Sequence, residues 1–256
     1  MGVEGPLARS VEDVRLALRC MSAPDARDPV HVPGAAAPPP AERPLQVGLV
    51  RDVGVAAPTS AVNAALDQAA AWLSDAGYAV EEVEPALLAE AYRLWWLLVM
   101  QEFRTVMPMV DQFGDDAIKR AAQHYYQVRA ELLGEEPGLG EYMRGYGRRA
   151  TLMRLLSELM ERHSTLLTPV SAEQAFEQDA DLSGVDRMRE VIAAQWSMMA
   201  VPVLGFPGLT VPTGVAGGLP IGVQLVGRRF DEERLLDAGA VIEARAGAFT
   251  PIDPVG

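Results

Sequence analysis

The sequence predicts an α/β fold, and two observations support this class. A strand pattern at residues 45–50 precedes a helical pattern at 59–75 and a second strand pattern at 78–83. That order is typical of two parallel strands joined by a helical crossover. Long stretches with apolar residues at helical spacing follow between residues 86 and 163, and they indicate a helical layer.

A capped helix is predicted near the amino terminus. Ser10 precedes apolar residues at helical spacing, and Glu12 and Asp13 occupy the first turn, where negative charge is stabilising. We expect this helix to end near Ser22. Residues 24–44 are rich in proline and alanine and include three consecutive prolines, so they are predicted to form a surface connection.

The strand–helix–strand segment has clear boundaries. Residues 45–50 alternate and carry β-branched side chains, as expected of a strand. The helical pattern at 59–75 ends before Gly77, a residue type that commonly ends helices. Residues 78–83 predict the next strand.

Three helices are expected in the helical layer, at residues 87–110, 117–133 and 140–163. The rest of the chain predicts a short strand at 166–168 stopped by Pro169, a helix at 186–200, strands at 209–211 and 221–226 separated by a Gly/Pro turn, and a closing helix at 231–245.

Composition excludes several classes of function. The formal net charge of −13 disfavours binding to nucleic acid or to anionic membranes. Cys20 is the only cysteine, so no internal disulfide can form. No secretory signal pattern is present at the amino terminus, and the longest apolar stretch, 94–100, is too short to span a bilayer. We therefore expect a cytoplasmic protein.

The sequence offers no self-sufficient active site. It contains no Gly-x-Ser-x-Gly turn, and its only lysine, Lys119, falls in a predicted helix. His163 and Ser164 are adjacent, but neighbours on a helix point in different directions, so a solvated helix end is the favoured interpretation. His31 and His124 lack a second ligand at metal-binding spacing and are predicted to be structural.

No cofactor or metal ion is expected. The sequence has neither a phosphate-binding loop nor a dinucleotide-binding turn. Adjacent acidic residues at 81–82 and 135–136 are more typical of a solvated face than of a general acid and base pair.

Two motifs stand at opposite ends of the chain. They are Gly-Pro-Leu-Ala-Arg-Ser at residues 5–10 and Gly-Leu-Pro-Ile-Gly-Val-Gln-Leu-Val-Gly at 218–227. Four further runs lie between them, at 46–51, 76–83, 166–170 and 205–214. In this order the runs resemble the carboxyl-terminal part of amidase signature enzymes, and the resemblance covers nearly the whole chain.

The resemblance implies a partial amidase-signature fold, in which a mixed β-sheet is covered by helices and carries an inserted helical layer. Catalysis in that family uses a nucleophilic serine, a second serine in a cis peptide and a lysine base, all before the Gly-Pro-x-Ala-Arg-Ser segment. No two serines are adjacent here, and Lys119 lies outside any such motif. No catalytic residue is therefore assigned, and the chain alone is predicted to be inactive.

We expect residues 1–256 to form one portion of an amidase signature domain. Its predicted segments are a helix and connection at 1–33, the Pro/Ala-rich connection at 34–44, the strand–helix–strand segment at 45–85, the helical layer at 86–163, and the closing strands and helices at 164–256.

By resemblance, this part of the family contributes a wall of the substrate pocket, and aromatic residues in the variable helices set specificity. Trp95, Trp96 and Trp196 are therefore the candidate substrate-binding residues. The alternative for each is packing in the core, where tryptophan buries a large area. Gln224 is expected to satisfy buried backbone groups rather than to contact substrate.

Two functions stay open at this point, and an independent hydrolase that uses His163 or His124 with a local serine is a third, less favoured alternative. The chain is either part of an amide hydrolase that works through an acyl-enzyme when complemented by an amino-terminal amidase half, or a non-catalytic relative that binds a small molecule or a partner. In the first case the partners are a small-molecule amide and the missing half, and a homo-oligomer is a further alternative. A large exposed apolar patch would favour an interface.

Overall fold

The computed structural model describes residues 4–28, 31–32, 45–134 and 136–247. Its helices are α1 (Val11–Met21), α2 (Ser60–Asp75), α3 (Leu87–Phe103), α4 (Met107–Phe113), α5 (Asp116–Leu133), α6 (Leu139–Arg162), α7 (Val185–Ala194), α8 (Trp196–Leu204) and α9 (Glu232–Ala246). Its strands are β1 (Gln46–Leu49), β2 (Ala79–Glu82), β3 (Thr165–Pro169), β4 (Gly208–Ala216) and β5 (Leu219–Gly227).

The described strands form one mixed sheet in the order β2-β1-β3-β5-β4. Strand β1 is parallel to β2 and to β3, with Val47 opposite Val80 and Thr165. Strand β5 runs antiparallel to β3 and to β4. The parallel β1–β2 pair, with α2 between its strands, confirms the predicted crossover.

Helices cover both faces of the sheet. Neighbouring residues of a strand point to opposite faces, and β3 shows this with Leu166 and Leu167, both fully buried. Leu166 belongs to a core that includes buried residues of α3, α6 and α8. Leu167 belongs to a second core with buried residues of α2 and α9. The sheet is therefore the middle of three layers.

The predicted helix at 87–110 is two helices, α3 and α4, so that expectation was wrong. The break falls after Phe103, and Pro108 lies in the first turn of α4. Proline is tolerated there because its missing N–H has no helical partner to lose. In an uninterrupted helix the same proline would cost about 3 kcal/mol.

The predicted helix at 186–200 is also two helices, α7 and α8, which meet at Gln195. The apolar pattern continues through Gln195, so periodicity could not reveal the break. Helix α8 extends past the predicted end and contains Pro202. It stops at Gly205, whose φ of 70° suits glycine, and Arg149 donates a side-chain hydrogen bond to the carbonyl of Val203 in its last turn.

The closing hairpin is longer than predicted. Strands β4 and β5 are joined by Gly217 and Gly218, both at positive φ, which is typical of tight two-residue hairpin turns. A register shift between Pro212 and Gly214 interrupts the ladder of β4. We predicted that β3 would end before Pro169. Pro169 is instead the last residue of β3, and it pairs with β5.

The helix-capping predictions are confirmed. The Ser10 side chain accepts a hydrogen bond from the backbone N of Asp13, and α1 is followed by Ser22 as its C-cap. The Pro/Ala-rich connection predicted at 34–44 lies outside the described residues, as does Glu135. Among the described residues, no helix is both long and apolar enough to cross a membrane.

Gly222 provides a test of the β4–β5 packing. A Cβ atom at this position would lie 2.6 Å from the backbone oxygen of Val211. We predict that Gly222→Ala lowers the free energy of unfolding by about 1–3 kcal/mol, because backbone cannot move aside as a flexible side chain can. Urea denaturation measures the change.

Gly147 is the matched control, since a Cβ there meets nothing within 4 Å and the residue is exposed in α6. Gly147→Ala is expected to stabilise the protein by about 0.5–1 kcal/mol through helix propensity. Equal effects of the two substitutions would contradict the close approach of β5 to β4.

Candidate functional site

A cleft of about 420 Å³ lies where the chain leaves the carboxyl end of β3. We call it the strand-end cleft. One wall is the segment 170–176, and the others come from α2, the junction of α7 and α8, α8 itself and the β4–β5 hairpin. Its lining residues are Val62, Val170, Ser171, Glu173, Gln174, Ala175, Phe176, Gln195, Met198, Thr210, Pro212, Pro220, Ile221 and Gly222.

Backbone and side-chain hydrogen bonds hold the cleft wall in place. The backbone N of Ala172 donates to the carbonyl of Ala194 at 2.8 Å, and the carbonyl of Ala172 accepts from the N of Thr59 at 2.8 Å. The side chain of Gln174 donates to the carbonyl of Ala216 at 2.6 Å. The segment is thus tied to α7, to the start of α2 and to the hairpin, so the wall is preformed.

The lining combines apolar side chains with a few polar groups, and it carries no nucleophile–base pair. The hydroxyl of Ser171 accepts a hydrogen bond from the backbone N of Glu173 at 3.3 Å. Glu173 is paired with Arg187, whose Nη1 lies 3.0 Å from a carboxylate oxygen. Gln195 and Thr210 add an amide and a second hydroxyl. No histidine, cysteine or lysine is among the lining residues that the structure describes.

Gln224 lies beneath the cleft and outside its lining. Its Oε1 accepts from the hydroxyl of Thr168 at 3.2 Å, and its Nε2 donates to the sulfur of Met198 at 3.6 Å. We expected this side chain to satisfy buried backbone groups, and its partners are other side chains instead. It thereby supports Met198, which does line the cleft.

The three candidate tryptophans occupy different environments. Trp96 and Trp196 are fully buried in the core that includes residues of α3, α6 and α8. Trp95 is half-buried and lines a second pocket of about 310 Å³ in the helical layer. The strand-end cleft contains none of the three. Their role in substrate binding stays a prediction, and Trp95 is the one of the three that lines a described pocket.

The prediction that His163 lies at a solvated helix end was wrong. This residue follows α6 and is only 2% exposed, because β1 and β2 pack over it. Its Nε2 lies 2.5 Å from a carboxylate oxygen of Glu81, while its Nδ1 is buried without a hydrogen-bond partner. The Ser164 hydroxyl instead donates to the carbonyl of Gln46. The pair forms no nucleophile–base arrangement.

The other predicted structural residues are placed as follows. The Nδ1 of His124 lies 2.8 Å from the carbonyl of Asp181, which ties α5 to the 3-10 turn Ala180–Leu182. Lys119 lies in α5 and lines none of the described pockets. The described residues contain no group of three or more His, Cys, Asp or Glu side chains arranged to hold a metal ion.

The contact between His163 and Glu81 makes the stability of the fold depend on pH. The hydrogen bond from His163 lowers the pKa of Glu81 below its ordinary value of 4.5, and Arg162 adds to the effect. Since the carboxyl ionises more readily in the folded chain than in the unfolded one, it stabilises the fold above pH 4.5. That stabilisation is lost as pH falls through the folded pKa.

We therefore predict that Glu81→Gln has a lower free energy of unfolding than the natural sequence near neutral pH. The difference between the two free energies should become smaller below about pH 4.5. Urea unfolding between pH 7 and pH 3 measures this difference in free energy of unfolding. The control is Glu84→Gln, which removes the same charge from an exposed neighbour. A difference in free energy of unfolding that stays constant over this range would show that the ionised Glu81 carboxylate does not stabilise the fold.

The cleft residues at 171–176 were not singled out from the sequence. One signal was present, because polar residues follow the carboxyl end of a predicted strand, and ligands bind at that edge of α/β sheets. The contribution of the hairpin could not be seen, since Thr210 and Ile221 meet this segment only in the folded chain.

Comparison with known proteins gives a consistent result. The family model described as Amidase matches residues 1–236. The chain is 34% identical over 255 residues to indoleacetamide hydrolase of Bradyrhizobium japonicum, covering 97% of this chain and 53% of that protein. It is 30% identical over 272 residues to a glutamyl-tRNA(Gln) amidotransferase subunit of Bradyrhizobium diazoefficiens, covering 96% and 55%.

Solved structures share the fold. A fatty acid amide hydrolase matches with a TM-score of 0.73 at 18% identity, over 95% of this chain and 48% of that one. The corresponding glutamyl-tRNA(Gln) amidotransferase subunit of Thermotoga maritima matches with a TM-score of 0.70 at 18% identity, over 93% and 52%. The chain therefore spans about half the length of the relatives that it matches.

Proposed function

This chain belongs to the amidase family, and from that premise we propose that it forms the pocket-wall half of an amide hydrolase. The attacking serine and the lysine base would come from residues outside this sequence. The observation that carries the proposal is the strand-end cleft, which offers hydroxyl and amide groups for binding but no nucleophile beside a base.

The cleft supports the binding of a small neutral amide. An amide needs both a donor and an acceptor, which the side chains of Gln195 and Thr210 provide. Apolar contact comes from Val62, Met198 and Ile221. Glu173 is neutralised by Arg187, so the cleft presents no unpaired carboxylate that would attract a cation.

In the proposed reaction, the serine of the complementing half attacks the amide carbon, and the amine or ammonia leaves as an acyl-enzyme forms. Water then releases the acid. The residues of this chain hold the substrate in place while both steps occur, which lowers the barrier by fixing the orientation of the reactants. The similarity to indoleacetamide hydrolase makes a primary amide the first substrate class to test.

Complementation tests the proposal directly. The purified chain is mixed with the separately produced amino-terminal half of the Bradyrhizobium japonicum relative, and ammonia release from indole-3-acetamide is measured. We predict turnover by the mixture and none by either half alone. Replacing the serine nucleophile of the added half by alanine is the control, and it should abolish the activity.

Two outcomes would contradict the proposal. One is hydrolysis by the pure chain that a single substitution within it abolishes. The other is a stable complex of the two halves that never hydrolyses an amide. If, in addition, the chain alone is a monodisperse monomer that binds no hydrophobic dye, the non-catalytic alternative is favoured.

Met198 tests whether the strand-end cleft is the substrate wall. This side chain lines the cleft and is 42% exposed, so a larger residue can enter the cleft without disrupting the core. We predict that Met198→Trp raises KM in the complemented enzyme by roughly tenfold. The matched control is Met143→Trp, at an exposed position of α6 away from the cleft. Equal KM values for the two variants would place substrate elsewhere.

A further inference from the structure

Arg187 lies behind the wall of the strand-end cleft. It belongs to α7 and does not line the cleft, but its guanidinium contacts two residues that do. Nη1 lies 3.0 Å from one carboxylate oxygen of Glu173, and Nη2 lies 3.3 Å from the other. The same guanidinium lies 5.8 Å from the ring centroid of Phe176, within the range of a cation–π interaction. One side chain therefore contacts a charged and an aromatic residue of this wall.

The contacts of Arg187 use properties that lysine lacks. A guanidinium is planar, so it can donate two hydrogen bonds to one carboxylate and lie against a ring. Glu190 accepts a further hydrogen bond from Nη1 at 3.1 Å, and its own side chain is 68% exposed. The side chains of Arg187 and Glu173 are each only 30% exposed. The guanidinium is thus held in one orientation from the solvent side and from the cleft side.

The far end of the cleft wall has few other attachments. Segment 170–176 is neither helix nor strand, so no ladder of backbone hydrogen bonds orders it. Backbone hydrogen bonds fix Ala172, and a side-chain hydrogen bond fixes Gln174. Within the part of the chain that the structure describes, neither Ala175 nor Phe176 makes a backbone hydrogen bond. The contact with the guanidinium therefore matters most at this end of the wall.

Arg187 also determines the charge that the cleft presents to a ligand. Glu173 lines the cleft, and its carboxylate is compensated by the guanidinium at 3.0 Å. The compensated pair suits an uncharged amide. Without the guanidinium, the same carboxylate would attract a cationic ligand, because opposite charges across a binding surface favour each other.

We propose that Arg187 is a positioning residue of the hydrolase, which fixes Glu173 and Phe176 in the cleft wall and makes the cleft selective for neutral amides. The inference rests on the proposed function, since it concerns the same cleft. Arg187 touches no substrate in this scheme and acts only through the two residues that it holds.

Arg187→Met tests the proposal in the complemented enzyme. We expect KM for indole-3-acetamide to rise by roughly tenfold while kcat changes by less than about twofold, because substrate binding is weakened and the attacking groups lie in the other half. Arg189→Met is the matched control. Arg189 also belongs to α7, and it pairs with Glu131 and Asp186, none of which lines the cleft. The control should change KM by less than about twofold.

A charge readout separates this positioning role from a general loss of structure. L-tryptophanamide and indole-3-propionamide differ by one amino group, and each is measured as a competitor of indole-3-acetamide below the pKa of that amine. In Arg187→Met the inhibition constant of the cation should improve by roughly fivefold relative to its neutral counterpart, since Glu173 is then uncompensated. Arg187→Lys keeps the charge and should not show this change. Adding Glu173→Gln to Arg187→Met should abolish it.

Hydrogen exchange of the chain alone tests the positioning without turnover. Amides of residues 171–178 should exchange faster in Arg187→Met than in the natural sequence, and Arg189→Met should leave them unchanged. Unchanged exchange in Arg187→Met would overturn the inference whether or not the two halves hydrolyse an amide. If the natural halves do hydrolyse it, equal KM and equal charge selectivity in the two methionine variants would overturn the inference and leave the proposed function standing. A stable complex of the halves without turnover would contradict both.

Discussion

The rest of the structure depends on β3 being buried on both faces and paired on both sides. All five of its residues are buried, and it pairs with β1 in parallel and with β5 in antiparallel orientation. Because Leu166 and Leu167 face different cores, a shift of one residue would exchange the two faces. The strand thus fixes how the parallel segment, the helical layer and the closing hairpin fit together.

The position of the cleft is a direct result of this arrangement. The chain leaves β3 at Pro169, whose carbonyl oxygen lies 2.7 Å from the hydroxyl of Ser197 in α8. The carbonyl of Val170 lies 3.0 Å from the same hydroxyl. A buried serine therefore holds α8 against the end of the strand, and the polar residues that follow are presented at the edge of the sheet, where ligands of α/β proteins bind.

Local signals in the sequence predicted the parts of the fold that depend on local physics. The cap Ser10 and the crossover were recognisable because capping and periodicity act over a few residues. The break at Gln195 was not recognisable, since buried α8 is apolar on every side and hides the change. Burial of His163 was also missed, because its partner Glu81 lies 82 residues away and meets it only through the sheet.

The register shift in β4 has a consequence for the edge of the described sheet. Strand β4 ends the described sheet on one side, and an edge strand is a template on which another chain can add. Pro212 has no N–H to offer, and the irregularity between Pro212 and Gly214 breaks the regular spacing of the remaining groups. Pairing of a further strand along this edge is therefore less regular than along an uninterrupted strand.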